Sequence, residues 1–137
     1  MPTAVAVTDT HALLWWASTA TQKKLGRRAR EHFQRSDAGT GAIYVPTIVL
    51  AELSELSHLG KIRLPQPFPK WMAALEQSKT YLVADLTVDI VRRAHDLFDI
   101  AERGDRLIAA TALSLDVPLI TRDHNIASCA NIERLWD

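Results

Sequence analysis

The sequence predicts an α/β protein, a three-layer sandwich with a central parallel sheet of four to five strands. Segments of helical periodicity alternate along the chain with short strand-like runs. These runs are apolar throughout, which is typical of parallel strands that are covered on both faces. The chain contains no internal repeat, linker or low-complexity tract, and 137 residues suffice for one core of ordinary size. We therefore expect a single domain over residues 1–137.

The predicted elements follow from hydrophobic patterning and from the residues that begin and end each segment. In chain order they are a strand at 4–8, helices at 11–17 and 21–35, a strand at 42–45, helices at 47–60 and 71–75, a strand at 81–86, helices at 87–101 and 106–115, and strands at 117–121 and 131–136. We expect Thr10 to cap the first helix, Pro46 to open the third and Gly60 to end it. Prolines make residues 64–69 a rigid connection, and Thr87 begins the next long helix.

Three of these helices show which side they bury. In the second helix, Leu25, Ala29 and Phe33 recur every four residues, and basic residues occupy the other faces. The long helix after the third strand has an apolar set at helical spacing, namely Val91, Ala94, Leu97, Phe98 and Ala101. Residues 106–115 are almost all apolar and small, which predicts a helix buried on most of its circumference against the sheet.

Composition excludes several classes of protein. The chain has 16 Lys+Arg against 16 Asp+Glu, so nucleic acid can be bound only by a local basic patch. Its single cysteine, Cys129, and the absence of CxxC or HExxH spacing argue against a disulfide scaffold or a zinc site. We expect Cys129 to be an inert buried thiol. The longest apolar run, 12–17, is far shorter than the roughly 20 residues of a membrane span, and no signal peptide is recognisable. We expect a cytoplasmic protein with no membrane partner.

Four carboxylates occupy the positions where an α/β sheet binds ligands, close to the carboxyl ends of its strands. They are Asp9, Glu52, Asp105 and Asp123. If they converge, each close pair repels by roughly 4 kcal/mol at an effective dielectric of 20. A hard divalent cation, Mg²⁺ or Mn²⁺, relieves this repulsion through oxygen ligands. The chemistry that such a site predicts is in-line hydrolysis of a phosphodiester bond.

Each of these acids also has a purely structural interpretation. Asp9 and Asp105 fit helix N-caps, and Asp123 fits a turn ahead of an asparagine. Glu52 fits a polar stripe that it forms with Glu55 on an otherwise apolar helix. Taken singly, none of the four establishes a site.

Five segments match a known family in the right order and over nearly the whole chain. They are VTDTHALLWW at 7–16, VPTIVLAELSEL at 45–56, GKIRLP at 60–65, GDRLIAATALSLDVPLITRD at 104–123 and IERLW at 132–136. On these segments the chain resembles the PIN-domain family and, within it, the VapC-type toxins of bacterial toxin–antitoxin pairs.

The resemblance implies a PIN-like fold and a function. The acids that match the family's catalytic, metal-binding set are Asp9, Glu52, Asp105 and Asp123. The family implies an endoribonuclease that depends on Mg²⁺ or Mn²⁺ and is the toxin of a type II toxin–antitoxin system. It also implies an RNA substrate, a homodimer and a cognate antitoxin that covers the active site.

One segment departs from the family pattern. Close relatives carry Asp-Pro-x-Asp-Arg ahead of the buried helix, and this chain has Glu102, Arg103, Gly104, Asp105 and Arg106. The expected metal ligand Asp105 is kept, whereas the proline is missing. Glu102 is therefore an outside candidate for the site, and the departure leaves open the alternative of a catalytically inactive PIN-like binding module.

Several polar neighbours of the acids have two interpretations. Basic residues of the second helix fit either RNA backbone contacts or a solvated face; these are Lys23, Lys24, Arg27, Arg28 and Arg30. Arg106 and Arg122 fit a phosphate clamp or pairing with the carboxylates. Thr121 fits either a hydrogen bond within the site or a structural role.

Histidines and tryptophans near the acids are ambiguous as well. His11 and His124 have no third ligand at helical spacing, so we interpret them as polar neighbours of the site. Trp15 and Trp16 are consecutive, and on a helix their side chains point about 100° apart. Either one of them contacts another chain, or both lie between the core and its rim.

Overall fold

The computed structural model describes residues 4–137 and has the predicted α/β architecture. Its strands are β1 (Ala4–Thr8), β2 (Gly41–Pro46), β3 (Tyr81–Ala84), β4 (Leu119–Ile120) and β5 (Arg134–Leu135). Its helices are α1 (Thr10–Trp16), α2 (Arg27–Asp37), α3 (Thr47–His58), α4 (Phe68–Glu76), α5 (Val88–His95), α6 (Arg103–Leu115) and α7 (His124–Ala130). Within residues 4–137, none of the helices is long and apolar enough to cross a membrane.

All five strands are parallel, in the spatial order β3-β2-β1-β4-β5. Val7 at the centre of the sheet is aligned with Tyr44 of β2 on one side and Leu119 of β4 on the other. From β1 the chain moves outward through β2 and β3, and then returns to the other side of β1. Because crossovers between parallel strands are almost always right-handed, this reversal places the helices of the two halves on opposite faces. It also creates a topological switch point between β1 and β4, where such sheets bind ligands.

The core lies on the central strands and the helices that cover them. Its largest fully buried side chains include Phe33 of α2, Ile43 of β2 and Leu53 of α3. Each side chain of this size contributes about 1.5–3 kcal/mol when it is fully buried. Ala109 and Ala110 of α6 are also fully buried, which confirms that this helix packs closely against its neighbours. Small side chains on α6 allow this close approach to the sheet.

The second predicted helix begins later than expected. A 3₁₀ turn spans Gln22–Lys24, and α2 starts only after Gly26. The backbone carbonyl of Trp136 accepts hydrogen bonds from the backbone N–H groups of Arg28 (3.0 Å) and Ala29 (3.2 Å). A side chain at Gly26 would clash with that carbonyl oxygen. The carboxyl-terminal segment therefore caps α2, a long-range contact that local periodicity does not reveal.

The predicted helix at 87–101 is also shorter in the structure. Thr87 caps it as expected, accepting a hydrogen bond from the backbone N–H of Ile90, but α5 ends at His95. The predicted apolar set is partly wrong, because Val91 and Phe98 are 51% and 65% exposed. Turns follow α5, so residues 96–101 do not continue its helical face.

Two further expectations are wrong near the carboxyl terminus. The sequence did not predict α7, because Arg122-Asp123-His124-Asn125 is typical of a turn. Cys129 lies on this helix and is exposed, not buried. It faces Asn125 one turn earlier, with 3.5 Å between Sγ and Oδ1.

Candidate active site

The first and last of the four predicted acids lie at the switch point of the sheet. Asp9 directly follows β1, and its backbone N–H donates to the carbonyl of Ile120 in β4 (3.1 Å). Asp123 follows β4 after Thr121 and Arg122. Parallel pairing of β1 with β4 thus brings together two acids that are 114 positions apart (123 − 9).

Asp9 is the N-cap of α1, so its structural interpretation is correct. Its Oδ1 accepts a hydrogen bond from the backbone N–H of Ala12 (2.9 Å). Thr10, which we expected to be the cap, is the first residue of the helix instead. Burial raises the pKa of Asp9, whereas hydrogen bonding from the Thr121 hydroxyl and the Ala12 backbone lowers it. The cap fixes the carboxylate in place at the end of β1.

Glu52 is held at the site by α1 and α6. The hydroxyl of Thr10 donates to its Oε1 at 2.6 Å. On the other side, the first turn of α6 approaches so closely that a Cβ at Gly104 would lie 2.7 Å from Oε2. Only glycine leaves room for the Glu52 carboxylate in this position. The segment that departs from the family pattern therefore contributes to the placement of Glu52.

Asp105 lies in the first turn of α6 and is not its N-cap, which is Glu102. The pKa of Asp105 is raised to about 6, first by burial and then by the nearby negative charges of Glu102, Glu52, Asp9 and Asp123. The other three predicted acids and Glu102 therefore all lie close enough to Asp105 to disfavour its negative charge. Glu102 caps α6 without a side-chain hydrogen bond.

Asp123 is the N-cap of α7. Its Oδ1 accepts hydrogen bonds from the backbone N–H groups of Asn125 (2.8 Å) and Ile126 (3.3 Å). The side-chain hydroxyl of Thr121 is buried and accepts a hydrogen bond from the backbone N–H of Asp123 (3.2 Å). Thr121 is therefore a buried structural residue that also forms a hydrogen bond within the site, so both of its interpretations apply.

The acids surround two adjoining cavities. The larger, of about 340 Å³, is lined by Asp9, Glu102, Asp105 and Asp123, together with His11, Trp15 and Arg122. The smaller, of about 90 Å³, is lined by Asp9, Glu52, Glu102 and Asp105. Three acids line both cavities, so the two form one acidic pocket, which we call the carboxylate pocket. Glu102 is part of this pocket, although its position upstream of Asp105 was the only signal for it in the sequence.

The carboxylate pocket suits a hard divalent cation. Its donors are carboxylate oxygens, and none of the ion pairs within residues 4–137 joins one of its five acids to a Lys or Arg. Over the same residues, no three His, Cys, Asp or Glu side chains form a compact ligand set. Mg²⁺ usually keeps several water ligands and takes only one or two carboxylates, so an open arrangement of this kind fits it.

Arg106 does not take either predicted role. Its guanidinium donates to the backbone carbonyls of Ile100 (2.8 Å) and Ala101 (2.9 Å) and lies 4.5 Å from the ring centroid of Phe98. It therefore fixes the loop ahead of α6 and does not pair with a carboxylate. Arg122 is exposed and lines the carboxylate pocket.

His124, Arg27 and Arg28 contact other side chains of the same chain. A guanidinium nitrogen of Arg134 lies 3.2 Å from Nε2 of His124. Arg27 pairs with Glu31 and Arg28 with Glu133, both at exposed positions. For Arg27 and Arg28 the solvated-face interpretation is therefore the better one.

Trp15 and Trp16 both lie between the core and its rim. Trp15 packs edge-on against Trp136, with 6.1 Å between ring centroids, and Trp16 stacks on Phe33 at 5.4 Å. The Trp16 indole also donates to Oδ2 of Asp37 (3.2 Å). Neither ring needs another chain for its packing.

The fold and the site together define an α/β protein whose carboxylates meet at the switch point of a parallel sheet. The PIN-domain family model matches residues 6–132. The chain therefore belongs to the PIN-domain family, as the resemblance in sequence implied. PIN domains are generally nucleases.

Solved structures share this fold at low sequence identity. A chain of VapBC2 from Rickettsia felis, solved with a DNA fragment from its promoter, is 15% identical and has a TM-score of 0.69. The alignment covers 97% of the present chain and 99% of that one. FitAcB from Neisseria gonorrhoeae is 18% identical, with a TM-score of 0.63 and 96% of each chain covered. A chain of a toxin–antitoxin complex from Klebsiella pneumoniae is 20% identical, with a TM-score of 0.56 and 90% of each chain covered. A comparison with curated protein sequences gives no significant match.

Proposed function

We propose that this protein is an endoribonuclease that depends on Mg²⁺ or Mn²⁺ and acts as the toxin of a type II toxin–antitoxin pair. One observation carries the proposal: five carboxylates border one pocket at the switch point of the sheet. Among the described residues, none of these five acids forms an ion pair with a Lys or Arg. Membership of a family that is generally nucleolytic supports hydrolysis of phosphodiester bonds.

The residues proposed to hold the ion, directly or through its water ligands, are Asp9, Glu52, Asp105 and Asp123, with Glu102 as a further acid of the pocket. When bound, the ion polarises the attacking water and neutralises charge that develops on the phosphate oxygens. The chain contributes the placement of the acids. Cap bonds fix Asp9 and Asp123 at the ends of their strands, and the Thr10 hydroxyl orients Glu52.

The partners of the protein are part of the proposal. Its fold is that of chains from VapBC, FitAB and other toxin–antitoxin complexes, which supports a cognate antitoxin that covers the carboxylate pocket. We propose RNA as the substrate and a homodimer as the assembly, because the family resemblance implies them. We propose the cytoplasm as the location, as the sequence analysis leads us to expect.

A cleavage assay on the purified protein tests the proposed activity. RNA should be cut in the presence of Mg²⁺ or Mn²⁺, and EDTA should stop the reaction. Asp9→Asn should abolish cleavage and leave the circular dichroism spectrum unchanged. Asp85→Asn is the matched control, because Asp85 is exposed and does not line the carboxylate pocket.

Calorimetric titration with Mn²⁺ separates the nuclease from the inactive binding module. A nuclease should bind the ion, and Asp105→Asn should weaken that binding. A chain that binds no divalent ion at millimolar concentration and cuts no RNA would be the binding module instead. Equal cleavage by wild type and Asp9→Asn would reject the proposed site.

A further inference from the structure

A second cavity, of about 590 Å³, lies beside the carboxylate pocket. It runs between the end of α1 with the turn that follows it and residues 62–65, which connect α3 to α4. Trp15 lines both this cavity and the carboxylate pocket, so the two adjoin at its indole ring. We call the second cavity the Trp15 groove. Its volume lies within the range of roughly 300–1,000 Å³ that is typical of ligand sites.

The Trp15 groove combines an apolar floor with a basic rim. Leu14, Ile62 and Leu64 supply apolar side chains, and Lys24 and Arg63 are exposed basic residues at its border. None of the described residues that line it is acidic. In a chain of zero formal net charge, this is a local basic patch next to a strongly acidic pocket. Such a patch attracts a polyanion.

Trp15 is held in place and remains partly exposed. Its ring packs edge-on against Trp136 (6.1 Å) and contacts the imidazole of His11 (5.7 Å). Nζ of Lys24 lies 5.8 Å from the ring centroid. Proteins that bind single-stranded nucleic acid combine these two features, an aromatic platform for a base and cations that follow the backbone.

We infer that the Trp15 groove holds the stretch of single-stranded RNA next to the bond that is cut. A base stacks on Trp15, and Lys24 and Arg63 contact the adjoining phosphates. The inference rests on the proposed function, since it assigns residues that position the substrate of the carboxylate pocket. The basic rim and the position of the groove next to that pocket favour RNA over a protein segment as the occupant.

Fluorescence anisotropy with a labelled single-stranded RNA of 12 nucleotides tests the inference. Binding is measured with Mg²⁺ in an Asp105→Asn background, which is expected not to cleave. Trp15→Ala should raise Kd by about tenfold, as expected for the loss of one stacked base, and Trp15→Phe should recover most of the affinity. The double variant Lys24→Gln/Arg63→Gln should lower the slope of log Kd against log salt by about 1.4, since each phosphate contact of a single strand contributes about 0.7.

Lys70→Gln/Lys79→Gln is the matched control, because both lysines are exposed and do not line the groove. In chains that keep all the acids, Lys24→Gln/Arg63→Gln should raise KM for RNA and leave kcat within about twofold, because neither side chain lines the carboxylate pocket. If Trp15→Ala does not fold, the Lys24→Gln/Arg63→Gln variant still tests the inference. Both of its side chains are exposed, so their substitution should not disturb the fold.

The outcomes distinguish this inference from the proposed function. If wild type cleaves RNA and the groove variants bind and cleave it equally well, the inference is wrong and the groove is left to a protein partner. If wild type neither binds nor cleaves RNA, the proposed function fails and the inference fails with it. Loss of affinity in the lysine control equal to that of the groove variant would also overturn the inference.

Discussion

The hydroxyl of Thr10 donates a hydrogen bond of 2.6 Å to Oε1 of Glu52, across 42 positions of sequence. Thr10 is buried at the start of α1, and Glu52 lies in the second turn of α3. A hydrogen bond to a charged group is typically worth about 1.5–3 kcal/mol. This bond joins the two helices at the border of the carboxylate pocket and fixes the direction of the Glu52 carboxylate.

We predict that Thr10→Val weakens Mn²⁺ binding by about tenfold, because groups that orient a metal ligand typically contribute a factor of 10–100 to affinity. Thr10→Ser keeps the hydroxyl and should bind Mn²⁺ as wild type does. Calorimetric titration of the three proteins measures the effect. Equal affinities for Thr10→Val and wild type would mean that Glu52 needs no orientation by Thr10.

Removing one acid should stabilise the protein when no divalent ion is bound. The neighbouring carboxylates and burial both disfavour a charged Asp105, and raise its pKa to about 6. Asp105→Asn removes that charge, so in EDTA at pH 7.5 it should raise the free energy of unfolding by about 1 kcal/mol after allowance for solvent screening. Urea unfolding measures the change.

The same variant should respond less to metal. Millimolar Mn²⁺ should raise the melting temperature of wild type and raise that of Asp105→Asn by less, because binding to the folded state alone stabilises it. Asp85→Asn serves again as the control. If Asp105→Asn is less stable than wild type in EDTA, the carboxylates of the pocket do not repel one another strongly, and the proposal of a metal site loses its basis.

A third prediction concerns a buried histidine that is remote from the acids. Nε2 of His32 in α2 lies 3.1 Å from the backbone carbonyl of Ala42 in β2, so this nitrogen carries the proton that is donated. Burial lowers the pKa of His32 below 6.5, although this hydrogen bond opposes the shift. The unfolded chain therefore binds more protons than the folded chain just below pH 6.5, and the contribution of His32 to stability falls as the pH drops through that range.

We expect His32→Gln to reduce this loss of stability between pH 7.5 and 5.5. Asp105, whose pKa is raised to about 6, also titrates in this window, so the informative quantity is the difference in unfolding free energy between wild type and variant at each pH. His58→Gln is the control, because His58 is exposed. A difference that does not change with pH would show that His32 does not contribute to the pH dependence.

The sequence was sufficient for much of the fold because its main signals are local. Apolar runs located the central strands, and Thr87 marked the start of α5. The late start of α2 was not predictable in this way, because it depends on the close approach of Trp136 to Gly26. Such a contact joins residues that are far apart in the sequence and leaves no periodic pattern.

The approach of Asp9 to Asp123 was predictable because parallel strands end at one edge of the sheet. The roles of the residues next to the site acids were not, since these depend on loop conformation. Arg106 donates to two carbonyls of the loop ahead of α6, and only its sequence position suggested a phosphate clamp. The importance of Gly104 was also hidden, because its neighbour in space, Glu52, is 52 positions away in the sequence.

The fourth prediction follows from this approach of Gly104 to Glu52. A methyl group at position 104 would lie 2.7 Å from Oε2 of Glu52, and the flexible end of the glutamate can move away from it. Alanine is favoured over glycine inside a helix by about 1 kcal/mol. Gly104→Ala should therefore fold with unchanged or higher stability while its Glu52 carboxylate is displaced from the pocket.

Activity and stability should thus separate in Gly104→Ala. We expect Mn²⁺ affinity and the rate of RNA cleavage to fall by about tenfold or more, with a melting temperature equal to or above that of wild type. Arg103→Ala is the matched control, because Arg103 is exposed and precedes Gly104 in the same turn of α6. Full cleavage activity in Gly104→Ala would mean that the position of Glu52 seen here is not needed for the reaction, whereas a large loss of stability would mean that the methyl group disturbs the packing of α3 against α6.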